Sequence, residues 1–77
     1  MKTLEYYLNL PYKIIIEPIK KEEGGGFSAR LAQFGMSVTG DGETAEEAIE
    51  TLEEHKQIAF KRFLAEGKQF PNFATKL

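Results

Sequence analysis

The hydrophobic and polar positions of this 77-residue chain change period twice. Leu4, Tyr7 and Leu8 recur at helical spacing behind Thr3, a residue able to cap a helix. Residues 3–10 therefore predict a short helical turn that Pro11 ends, with a strand as the alternative. Residues 12–19 predict a strand centred on the β-branched run Ile14-Ile15-Ile16. Ile14 and Ile16 share one face of it, while Lys13, Ile15 and Glu17 share the other, which leaves Ile15 on a mostly polar side. Pro18 lacks an amide donor and suits a strand end or an edge. Residues 20–26 are polar and glycine-rich and read as a turn. Alternation resumes over residues 27–32, with Phe27, Ala29 and Leu31 toward a core, and a third strand is expected over residues 36–39.

Gly40-Asp41-Gly42-Glu43 reads as the turn into the second helical segment. Thr44 is placed to cap it and Glu47 to complete a capping box. Acidic residues crowd the first half, Lys61 and Arg62 come late, and Gly67 supplies a stop. Ala45, Ala48, Ile49, Leu52, Ala59, Phe60 and Phe63 form one apolar stripe for packing on the sheet. Lys56 falls inside that stripe, and Ile58 falls outside it, near Thr51, His55 and Arg62. The last residues carry Phe70, Pro71 and Phe73, which either pack back on the core or cross onto a second subunit. Ile15, Lys56, Ile58, Phe70 and Phe73 are thus left over from the pattern, and they are the candidate residues for contact with a partner or a second copy.

These elements predict a single α+β domain over residues 1–77, of order α-β-β-β-α: a short helix, a three-stranded antiparallel meander and one long helix packed on it. A chain this small buries a modest core and gains from association, so a homodimer is expected. The net charge of −2 argues against a dedicated nucleic-acid binder, which carries a basic stripe. Charge is also local: residues 41–54 hold seven carboxylates and no Lys or Arg, a face suited either to solvent or to a basic protein. With no cysteine, disulfides and thiolate-bound zinc are excluded. The absence of a long apolar run or a signal-peptide pattern points to a cytoplasmic protein without membrane contact.

Catalytic chemistry is hard to assemble from these residues. His55 is the sole histidine, and nothing in the spacing of Ser28 or Ser37 aligns either with it. Gly24-Gly25-Gly26 follows two glutamates and leads into a strand, the wrong context for a phosphate loop. Asp41, Glu43, Glu46 and Glu47 cluster at the helix start, where capping and solvation account for them. No catalytic, metal or cofactor-binding residue is assigned. The enzymatic alternative is a residual metal-dependent nuclease using Glu17, Asp41 and a helix glutamate.

An ordered set of short motifs resembles the HicB family of antitoxins. It comprises Tyr6-Tyr7-Leu8, Leu10-Pro11-Tyr12, Gly25-Gly26-Phe27, Gly42-Glu43-Thr44-Ala45-Glu46-Glu47-Ala48, Gly67 and Phe70-Pro71, and spans Leu4 to Pro71. The resemblance implies a partial ribonuclease-H-like unit without working nuclease chemistry. It also implies a type II toxin-antitoxin partner: a small basic HicA-like toxin that cleaves mRNA and is neutralised by direct contact. The family's Pro-x-Leu-Pro-Gly-Cys segment is replaced by Ala32-Gln33-Phe34-Gly35-Met36, which keeps the glycine alone. Many HicB proteins add a C-terminal DNA-binding domain. This sequence contains none, so direct DNA binding is not expected of it alone. A HicB-like homo-oligomer without a toxin is the remaining alternative.

Overall fold

The computed structural model describes residues 2–71. Helix α1 (Leu4–Leu8) leads into β1 (Ile14–Pro18), β2 (Phe27–Leu31), β3 (Thr39–Gly42) and the long helix α2 (Ala45–Ala65). Short 3-10 segments at Lys21–Glu23 and Ala32–Ser37, the second kinked at Gly35, join the strands. The strands form an antiparallel meander in sequence order, with Ile14 opposite Leu31 and Ala29 opposite Gly40. The α-β-β-β-α layout expected from the hydrophobic pattern is the layout observed.

Helix termini form where the sequence placed them. The Thr3 hydroxyl accepts from the Tyr6 amide, and the Thr44 hydroxyl accepts from the Glu47 amide at 3.1 Å. The Glu47 carboxylate accepts from the Glu43 amide at 2.9 Å, one residue before the Thr44 amide that the expected capping box would use. At the other end Gly67 adopts φ +67. The Lys68 amide then reaches the Phe63 carbonyl at 2.9 Å and the Gly67 amide the Leu64 carbonyl, the paired bonds of a Schellman stop.

The third strand differs from the expectation. Residues 36 and 37 belong to the 3-10 segment, and the strand takes in Gly40 and Gly42, which the sequence pattern places in a turn. Two local effects account for this. Gly35 sits at φ +59, ψ −130, a turn conformation open to glycine, and it redirects the chain so that Phe34 is buried while Met36 is 80% exposed. Gly40 and Gly42, in turn, are packing glycines. A Cβ on Gly40 would lie 2.7 Å from Leu52 Cα, and one on Gly42 would lie 2.5 Å from the Ala48 amide nitrogen. Their bare backbone lets α2 lie directly on β3.

Ala48, Leu52 and Phe60 of α2 are fully buried with Ala29, Leu31 and Val38. Tyr12, Phe34 and Phe60 join in an aromatic cluster, with Phe34 and Phe60 stacked at 5.2 Å and Tyr12 edge-on to both. Full burial of a side chain such as Phe60 or Leu52 contributes about 1.5–3 kcal/mol. Because α2 lies over β2 and β3, β1 is left uncovered on the helix side. Ile14 and Ile16 share that side with their partners Leu31 and Ala29, yet they are 37% and 39% exposed.

Candidate protein-contact surface

The structure separates the five candidate contact residues. Ile58 is 58% exposed on α2. Lys56, two residues earlier on the buried side of the helix, is 7% exposed. Its Nζ donates to the Leu8 carbonyl at 3.0 Å and lies 3.9 Å from a Glu53 carboxylate oxygen. Leu8 closes α1, where carbonyls lack intrahelical donors, so Lys56 ties the two helices together and is no part of an exposed flank. Phe70 also turns inward. Its ring stacks on Tyr7 at 3.7 Å and meets Phe60 edge-on at 5.1 Å, while Tyr12 donates its hydroxyl proton to the Pro71 carbonyl at 2.6 Å. Burial holds the Tyr12 hydroxyl above the usual tyrosine range, with smaller contributions from Tyr7 and Tyr6. The chain beyond Gly67 therefore packs back on its own core as far as Pro71; Phe73 lies outside the described residues. Ile15 is half-buried on the sheet face away from α2, opposite Arg30.

Around Ile58 the surface is built from three elements. Ser37, Thr39, His55, Ile58, Ala59 and Arg62 line a cleft of about 190 Å³ between α2 and the start of β3. His55 is held there by its Nδ1–H, which donates to the Thr39 carbonyl at 2.6 Å. Glu46, Glu50 and Glu54 precede Ile58 at steps of four, all exposed, so one ridge of α2 runs from carboxylates into an apolar tip beside the cleft. Asp41, Glu43, Glu47 and Glu53 are exposed as well, and no Lys or Arg of residues 41–54 offsets them. This ridge follows from the spacing of four along the helix.

The carboxylates named for a nuclease site do not converge. Glu17 and Asp41 both oppose Ser28, one on each side, which places them two strands apart on the sheet face away from α2. Glu17 is ion-paired with Arg30. The helix glutamates belong to the opposite layer, and among the described residues no three His, Asp or Glu side chains are grouped to hold a metal ion. Nor is any described helix long and apolar enough to cross a membrane. Comparison with known protein families, with curated proteins and with solved structures gives no match for this chain.

Proposed function

We propose that this chain is a protein-binding module of the HicB antitoxin type, which neutralises a small basic HicA-like mRNA-cleaving toxin by covering it. The observation that carries this reading is the acidic ridge of α2 ending at Ile58 and its cleft. Charge of one sign over a helix face raises the encounter rate with a basic partner. An apolar side chain at the end of that face supplies contact that persists once the two surfaces meet. The α-β-β-β-α layout and the motifs of the HicB resemblance support the same reading, since they give a helix held rigidly on a sheet with one long side open. Neutralisation by occlusion needs no catalytic group on this chain.

The test is an RNA-cleavage assay. The small basic protein isolated with this chain should cleave labelled mRNA alone and stop when an equimolar amount of the chain is added. Cleavage that continues at the same rate refutes the reading.

A further inference from the structure

The sheet has two edges, and they are not alike. On β3 the outward-facing Thr39 carbonyl is occupied by His55. On β1 the Ile19 amide donates to the Gly26 carbonyl and the Ala32 amide to the Lys13 carbonyl, so odd-numbered residues of β1 bond toward β2. The amides and carbonyls of Ile14 and Ile16 therefore face outward, at the end of the sheet. This outward row has sharp limits. Pro18 has no N–H, and the Tyr12 amide is spent on the Leu10 carbonyl at 2.8 Å.

From this the geometry points to β1 as a self-pairing edge: two copies of the chain join β1 to β1 antiparallel about a two-fold axis at Ile15, forming one continuous sheet. In this register Ile14 stands opposite Ile16 of the second copy, and the two exchange reciprocal backbone hydrogen bonds on both sides of the axis. Shifting the register by two residues in either direction keeps the bonds donated by the Ile14 and Ile16 amides but sets Ile15 opposite Glu17 or Lys13 of the second copy. The side chains therefore select the register centred on Ile15. Ile14 and Ile16, exposed on the helix side, come to lie against their counterparts, and Ile15 meets itself on the opposite face. Lys13, on that opposite face, stands across from Glu17 of the second copy, and Glu17 across from its Lys13. A two-fold axis makes each charge pair occur twice, so β1 is complementary to itself in charge as well as in hydrogen bonding. A strand from an unrelated protein would satisfy the hydrogen bonds without this match of ends.

Sedimentation velocity of the purified full chain over a wide range of concentration reads the association directly. A monomer–dimer equilibrium is expected. Ile16→Pro removes an outward amide without touching the β1–β2 ladder, and should leave a monomer with an unchanged circular dichroism spectrum. Lys13→Glu and Glu17→Lys each place like charges together twice and should each weaken the dimer about tenfold. Mixed in equal amounts, these two variants restore both opposite-charge pairs and should form a heterodimer. A chain that stays monomeric throughout overturns the proposal. So does a dimer unaffected by Ile16→Pro, or a mixture that associates no better than its separate components. Because the measurement uses this chain alone, its outcome is independent of toxin binding.

Discussion

Gly40→Ala adds one methyl group where the helix and the sheet are closest, and its effect follows from distances. The new Cβ would lie 2.7 Å from Leu52 Cα and 2.8 Å from the Ala48 carbonyl oxygen. Carbon atoms prefer separations of about 3.5–4.0 Å, so α2 must retreat from β3 by roughly 1 Å. Backbone atoms are met here, and no rotamer change relieves them. Retreat also loosens Ala48 and Leu52, both fully buried. Overpacking of this kind costs about 1–3 kcal/mol, against a gain of about 0.4–1 kcal/mol from stiffening the unfolded chain. The steric term wins, leaving a net loss of about 1–2 kcal/mol. In a domain of this size each kcal/mol lowers Tm by about 4–8 °C, so thermal unfolding by circular dichroism should show a drop of about 5–15 °C. A variant as stable as the native chain, or more stable, would show that Gly40 is not where the helix rests.

Other substitutions probe separate parts of the structure. Lys56→Ala should cost about 1–3 kcal/mol in chemical denaturation, because it strands the Leu8 carbonyl and unties α1 from α2; an unchanged midpoint would remove Lys56 from the core. The raised pKa of Tyr12 means that the folded state favours the neutral phenol. Its contribution is present below the unfolded tyrosine value of about 10 and is lost as pH rises through the higher folded value. The stability difference between the native chain and Tyr12→Phe should therefore shrink above that pH, and a difference constant through the alkaline range would count against the buried hydroxyl. Replacing Glu46, Glu50 and Glu54 together with Lys should cost about 1 kcal/mol or less, chiefly from Lys at position 46 in the first turn of α2, while slowing association with a basic toxin at least tenfold and making it faster, not slower, as salt is added. Equal association rates would move the contact off α2. With Mg²⁺ or Mn²⁺ and labelled RNA, the purified chain should show no cleavage; cleavage lost in Glu17→Gln would favour the nuclease.

The elements were legible in the sequence because their signals are local. Thr44 with Glu47 and Gly67 mark both ends of α2, and Ala48, Leu52 and Phe60 mark its buried face. What was not legible depends on how far each element extends over its neighbours. Gly40 and Gly42 look like turn residues, and their role appears when α2 approaches β3 within contact of the backbone. Ile14 and Ile16 alternate correctly, but the pattern does not reveal that α2 stops short of β1. Lys56 sits in an apolar stripe because its ammonium answers the Leu8 carbonyl, a residue far away in sequence. Of the candidate contact surface, Ile58 is visible as a break in the stripe. The burial of Phe70 against Tyr7 is a long-range pairing that spacing does not encode.

The most direct measurement is native mass spectrometry of the complex recovered when the tagged chain is purified gently from its native host. A small basic protein bound in stoichiometric amount and released by high salt is the expected result. Recovery of this chain by itself, or bound to no basic protein, would contradict it.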